Sequence, residues 1–173
     1  MAQFSLMYAG DALHLALRAW EPRENLRAQA RGIAHDVWHD SCLECFLMPQ
    51  PENDARYMNF EFNPSGAMCL GIGSGREDKV FLAEAELSRF QIEPFCEETA
   101  GGQLLWGVTV RLELSFLHSF FPTLSLSQGV KMRANFYKCG EKTIAPHYAC
   151  WSPVSAPAPD FHRPDCFGLL TFV

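Results

Sequence analysis

The chain predicts an all-β fold, an antiparallel sandwich with long loops and at most one short helix, in a single domain spanning residues 1–173. Three observations predict it. Apolar and polar residues alternate at period two over several stretches, the mark of a strand with two unlike faces. Turn residues punctuate those stretches, with 12 Gly and 11 Pro in 173 residues. Hardly any segment reads as helix, and many strands without helices bury their apolar faces most simply against one another. A chain of this length is enough for one sizeable core.

The elements follow in order. In Ala12–Trp20, Leu13, Leu15, Leu17 and Ala19 share one face and His14, Arg18 and Trp20 the other, with Gly10-Asp11 before and Glu21-Pro22 after. Ser41–Met48 is apolar on both faces apart from Glu44, so it reads as an interior strand of a covered sheet. Tyr57–Asn63 sets Met58, Phe60 and Phe62 against Tyr57, Asn59, Glu61 and Asn63. Pro64-Ser65-Gly66 then turns the chain into a return strand, Ala67–Gly71. Gly71, Gly73 and Gly75 mark a hairpin or bulge rather than a dinucleotide loop, because the third glycine is misplaced and no crossover helix follows. Gly107–Leu114 alternates again. Ser115–Phe121, closed by Pro122, is predicted as one helical turn capped by Ser115. Val130–Tyr137 sets Val130, Met132, Ala134 and Phe136 against Lys131, Arg133, Asn135 and Tyr137. A proline-rich segment, Pro153–Pro164, crosses the end of the molecule before a last strand, Cys166–Phe172. Trp20, Trp106 and Trp151 read as core.

Composition narrows the function classes. The formal charge of −6 argues against a nucleic-acid surface, which needs a basic stripe. Stretches such as Leu114–Leu124 fall well short of the ~20 apolar residues of a membrane helix. Met1–Gly10 lacks the basic and apolar regions of a signal peptide. Seven cysteines are an odd count without a pairing pattern. Cys42 and Cys45 form one CxxC, with no second pair to complete a zinc site. Cysteines used as small reduced hydrophobes fit a cytoplasmic setting, or a secreted one if a leader has been removed. No cofactor and no metal site is expected from the motifs.

Four blocks, in order, carry a resemblance: Val37-Trp38-His39-Asp40-Ser41-Cys42-Leu43-Glu44-Cys45-Phe46, Tyr57-Met58-Asn59-Phe60-Glu61-Phe62-Asn63, Met132-Arg133-Ala134-Asn135-Phe136-Tyr137, and Trp151-Ser152-Pro153 through Asp160-Phe161-His162-Arg163-Pro164-Asp165-Cys166-Phe167-Gly168. Together they resemble family 9 carbohydrate-binding modules over residues 11 to 173. The resemblance implies an immunoglobulin-like sandwich that binds mono- or disaccharide units or glycan chain ends without cleaving them, in carbohydrate catabolism alongside glycoside hydrolases. It places Trp38 and Phe161 as the two rings of an aromatic clamp, with Phe161 where the family carries Trp. It places Glu44 as a hydroxyl-binding carboxylate, Glu61 where the family uses Arg, Arg133 where it uses Gln, and Asn63 and Asn135 as flanking amides. Related modules hold structural calcium, for which Asp36, Asp40 and Asp54 are the loop carboxylates at hand.

Chemistry singles out the same strands. Sugar rings present apolar C–H faces and a belt of hydroxyls, so a site needs aromatic planes and paired donors and acceptors. The polar faces supply Tyr57, Asn59, Glu61, Asn63, Arg133, Asn135 and Tyr137, with Arg76 and Trp151 as further candidates. Such a row is the solvated outer face of a sheet, or else it is covered and hydrogen-bonded internally or to a ligand. Glu61 with Arg133 could form a structural ion pair, and Arg76 could pair with Glu61 or Glu44. Two other functions stay open: a glycoside hydrolase or hydrolase subunit with Glu44 and Glu61 as its carboxylates, and an interaction domain without a small ligand.

Overall fold

A computed structural model describes all 173 residues. It is an antiparallel β-sandwich of eleven strands. β1 (Ala2–Ala9), β2 (Ala12–Pro22), β8 (Gln103–Glu113) and β7 (Phe90–Glu98) form a four-stranded sheet in the order β1-β2-β8-β7. The second sheet runs β10-β9-β3-β4-β5-β6, from β10 (Tyr148–Cys150), β9 (Lys131–Cys139), β3 (Cys42–Met48), β4 (Tyr57–Phe62), β5 (Met68–Gly73) and β6 (Val80–Phe81). β11 (Gly168–Thr171) joins it beside β9, opposite Lys131–Ala134, while β10 takes Tyr137–Cys139 of the same edge. The single α-helix, α1 (Leu114–His118), closes one end with Phe116 and Leu117.

Period-two patterning places the core. Leu13, Leu15 and Leu17 of β2 and Trp106, Val108, Val110 and Leu112 of β8 meet Leu43, Cys45 and Leu47 of β3, Met58, Phe60 and Phe62 of β4, and Met132, Ala134 and Phe136 of β9. These belong to one cluster of 26 buried residues. Each fully buried Leu or Phe contributes about 1.5–3 kcal/mol relative to exposure, so this layer dominates the stability. β1 has one face on solvent and β7 is largely exposed, so neither shows the buried alternation that marks β2 and β9.

Three expectations are corrected. Ser115 lies inside α1 rather than capping it: Glu113 is the N-cap residue, and the Ser115 hydroxyl donates to the Glu113 carboxylate at 3.1 Å. Trp20 is only half-buried, on the outer face of β2 with the Arg18 guanidinium 5.6 Å above its ring. Trp151 is exposed, at 44%, and covers Phe4 and Phe136 from outside the core. Trp106 is fully buried as expected, and its indole N–H donates to Glu21 at 3.0 Å.

The outer face of the seven-stranded sheet positions the candidate site. β3 and β4 are buried on both faces. The core covers one face, and the segments around residues 25–41 and 151–167 cover the other.

Candidate ligand-binding site

Antiparallel register sets the floor of the site. Glu44 in the middle of β3 lies directly opposite Glu61 of β4 and Tyr137 of β9, and Phe46 lies opposite Asn59 and Asn135. Side chains two apart on one strand, and directly opposite on its neighbours, share a face. Cys42, Glu44 and Phe46 therefore join Asn59, Glu61, Tyr137 and Cys139 on one surface. Above it lies a cavity of about 330 Å³ lined by Trp38, Glu44, Phe46, Asn59, Glu61, Cys69, Arg76, Lys79, Phe81, Cys139, Glu141, Tyr148, Phe161 and His162, among others. The volume suits one or two sugar rings by the usual scale of ligand sites.

Three loops raise its walls. Trp38 sits on the 3-10 turn Val37–His39, which is anchored by the buried Val37 and by a backbone bond from Glu141 N–H to the Trp38 carbonyl at 3.4 Å. The Trp38 ring is 37% exposed, so it stands at the rim rather than in the core. Phe161 lies on the proline-rich segment and lines the same cavity. Its ring stacks on Tyr137 at 4.0 Å and 9°, and the Tyr137 hydroxyl donates to its carbonyl at 3.0 Å. The third wall is the β5–β6 hairpin, tied to the Phe161 segment by an Arg76–Asp160 ion pair at 2.8 Å. Gly71 of β5 keeps the floor open, because a Cβ there would meet the Asn59 Oδ1 at 2.7 Å and the Lys79 Cδ at 3.0 Å.

The floor is buried and incompletely satisfied. The Asn59 amide donates to Glu61 Oε1 at 2.9 Å, yet Asn59 Oδ1, Glu61 Oε2 and Lys79 Nζ are buried with no partner in the protein. Native proteins rarely leave such atoms unpaired. Burial pushes the Glu61 carboxyl up to about 7, against the lowering effects of the Asn59 amide, Lys79 and Arg76. Burial takes Lys79 down to about 8, with Glu61 opposing, and its ammonium lies 3.9 Å from the Tyr57 ring centroid. Glu44 is raised well above the carboxylate range, first by desolvation, and its Oε1 accepts the Cys139 thiol at 3.1 Å. His162, held down to about 3 by burial and then by Lys79 and Arg76, is neutral and shares a 2.8 Å hydrogen bond with the Tyr57 hydroxyl.

Of the residues singled out by sequence, Trp38, Glu44, Glu61 and Phe161 come together here, as do Asn59 and Arg76. The other three leading candidates do not line the cavity. The Asn63 amide donates to Asp40 and the Ala30 carbonyl and accepts from the Ser65 and Ala67 backbone, fixing the turn after β4. Asn135 exchanges hydrogen bonds with the Ser152 backbone at 2.8 and 2.9 Å. Arg133 is exposed at the far end of β9, opposite Met48 and Leu169. It forms no ion pair with Glu61, whose cationic neighbours are Lys79 and Arg76. Tyr57 and Tyr137 lie beneath the wall residues His162 and Phe161 and position them, while Trp151 lines a separate cavity with Phe4 and Phe136. Sequence reasoning missed Phe46, Lys79 and His162. His162 follows Phe161 directly, and Phe46 is two residues from Glu44 on the same face, a signal that period two already contains.

The three loop carboxylates named for calcium have partners within the protein. Asp40 Oδ2 accepts from the Gln29 and Ala30 N–H groups and from Asn63, and its other oxygen faces Arg27 at 3.2 Å. Asp54 is held by Arg56, and Asp36 faces His39. No helix is long and apolar enough to cross a membrane.

Comparison with known proteins agrees with this architecture. A crystal structure from Bacteroides uniformis, described as a "putative carbohydrate-binding protein", superposes with a TM-score of 0.81 at 31% identity, covering 99% of this chain and 78% of that one. No match was found among curated proteins. The family whose profile matches residues 1–172 is carbohydrate-binding family 9, and the chain belongs to it.

Proposed function

We propose that the chain binds a mono- or disaccharide, or the end of a glycan chain, in the cavity between Trp38 and Phe161, without cleaving it. Membership of carbohydrate-binding family 9 supports the ligand class. The observation that carries the site is the set of buried, unpartnered polar atoms, Asn59 Oδ1, Glu61 Oε2 and Lys79 Nζ, on the floor of a cavity rimmed by aromatic rings. Two acceptors and one donor, already desolvated, match the mixed donor–acceptor character of sugar hydroxyls, and a hydroxyl supplying the missing bonds recovers about 1–3 kcal/mol for each orphaned group. Trp38 and Phe161 offer apolar planes to the C–H face of a pyranose. Glu44 completes the floor.

The hydrolase reading is not favoured by the geometry. Glu44 and Glu61 are direct cross-strand neighbours on one rigid floor. Glycosidase carboxylates flank the scissile bond from two sides, one protonating the leaving oxygen and the other acting on the opposite face of the ring. Two acids side by side beneath the ligand can bind hydroxyls but cannot bracket a bond. Calorimetric titration against a panel of common mono- and disaccharides tests the proposal, with Trp38 fluorescence recorded in parallel. Saturable heat with quenching is expected for at least one sugar. Absence of heat across the whole panel overturns the proposal, and turnover of an aryl glycoside that disappears in Glu61→Gln would restore the hydrolase.

A further inference from the structure

Beneath the Trp38 side of the cavity, Cys42 at the start of β3 lies directly opposite Cys139 at the end of β9, and Glu44 follows two residues on along the same face. The two sulfurs and a Glu44 carboxylate oxygen all lie within 4.8 Å of one another, and all three side chains are buried. No other group of three potential metal ligands in the molecule is this compact. We propose that Cys42, Cys139 and Glu44 bind a thiophilic metal ion, with zinc as the first choice.

The geometry is close to what the ion requires. Zn–S bonds of ~2.3 Å and Zn–O bonds of ~2.1 Å in a tetrahedron set the ligand atoms ~3.6–3.8 Å apart. Cys139 Sγ and Glu44 Oε1 stand at 3.1 Å, and the remaining separations fall under the 4.8 Å limit, so small side-chain rotations suffice. Two sulfurs exclude calcium and magnesium, which take oxygen ligands, and select zinc or copper(I). Three protein ligands leave one position, and the cavity reaches Glu44 and Cys139, so water or a ligand hydroxyl can take it. A second observation points the same way. Glu61, directly opposite Glu44, holds its buried Oε2 without a partner on the same floor, so the groups facing the open position include an unsatisfied acceptor. Binding is coordination without redox change: each thiol and the Glu44 carboxyl yield their protons to solvent, and the two thiolates and the carboxylate donate lone pairs to the metal.

The test uses the full chain, reduced and freed of metal. Zinc titrated against a chromophoric chelator should show one tight site per chain, and cobalt(II) should give the intense thiolate-to-metal charge-transfer absorption of sulfur ligation. Cys139→Ser should roughly halve that absorption at saturating cobalt and weaken zinc by at least ~100-fold, while Cys45→Ala, on the opposite face of β3, should change neither. If Cys139→Ser fails to fold, Glu44→Gln is the second variant, expected to keep a sulfur-to-cobalt band while weakening zinc. Absence of one-to-one binding by the reduced wild type overturns the proposal, as does zinc binding that survives Cys42→Ser and Cys139→Ser together. A Cys42–Cys139 disulfide with no metal uptake after reduction overturns it too. Saccharide titration of the metal-free protein is measured separately, so failure of the metal site and failure of the sugar site are distinguishable.

Discussion

Both faces of the central strands β3 and β4 lie out of water, but they are covered by different means. The inner face of β3 and β4, with Leu43, Cys45, Leu47, Met58, Phe60 and Phe62, is closed by the four-stranded sheet through apolar contacts. The outer face, with Glu44, Phe46, Asn59 and Glu61, is closed by loops, and a cavity remains above it. Burial on the inner face stabilises, because apolar surface leaves water. Burial on the outer face costs stability, because carboxyl, amide and ammonium groups lose water without full replacement. A polar floor kept dry and left incomplete is what separates the proposed binding face from the core face of the same strands.

Substitutions can break that comparison, and the largest effect belongs to the inner face. Phe60→Ala should lower unfolding free energy by about 3–5 kcal/mol in urea denaturation, since a buried ring leaves a cavity. Whatever folds should bind sugar with unchanged affinity. On the outer face the pattern inverts. Trp38→Ala should cost roughly 2 kcal/mol or more of saccharide affinity, about thirtyfold, as for an aromatic anchor, while stability moves by under ~1 kcal/mol because the ring already stands at the rim. A large loss of stability in Trp38→Ala would show the rim to be core.

Glu61→Gln sharpens the contrast through pH. The folded carboxyl titrates at about 7, above its ordinary value of 4.5, so the folded state holds this proton more tightly than the unfolded chain. The stability associated with it is present below pH ~4.5 and is lost as pH rises through about 7. Glu61→Gln should therefore be more stable than wild type at pH 8, by on the order of 2 kcal/mol, and no more stable at pH 4. Saccharide affinity of the wild type should be greatest between pH 7 and 8, where Glu61 is ionised and Lys79, titrating at about 8, is still charged. Thermal melts and calorimetry across pH check both signs; a flat affinity profile would remove these two groups from recognition. Phe161→Trp should tighten binding by less than ~1 kcal/mol, since a larger face covers more of the ring while Tyr137 continues to support it. Arg133→Ala should leave affinity and stability within ~0.5 kcal/mol, because the side chain is exposed and far along β9 from the cavity.

What the residues reveal unaided follows the period-two rule. Leu13, Leu15 and Leu17, Met58, Phe60 and Phe62, and the continuous apolar run of β3 were legible, because each strand's alternation is dictated by burial on one face or both. β1 and β7 were not legible in the same way. They pair at the margins of the small sheet, with side chains too exposed to enforce a pattern, so backbone pairing rather than hydrophobicity places them. Glu44 and Glu61 could be put on polar strand faces from sequence. Their being direct partners, with Cys42 opposite Cys139, depends on the β3–β4 and β3–β9 registers, which are set by long-range pairing.

The same limit explains the site residues that moved. Asn63, Asn135 and Arg133 have the right alternation and lie on the right face, and alternation was all the sequence could report. A strand face extends some 3.3 Å per residue, so residues two or four apart on it reach different loops. Asn63 meets the Asp40 turn, Asn135 meets Ser152, and Arg133 meets solvent. By itself the sequence determined the sandwich and the apolar face of each interior strand, because these follow from local spacing, and its resemblance to family 9 modules singled out the aromatic and acidic residues proposed for the site. Only the tertiary structure decided which polar groups are consumed by the protein's own backbone and which are left waiting in the cavity, because satisfaction of a buried hydrogen bond depends on what the chain brings opposite it from far away.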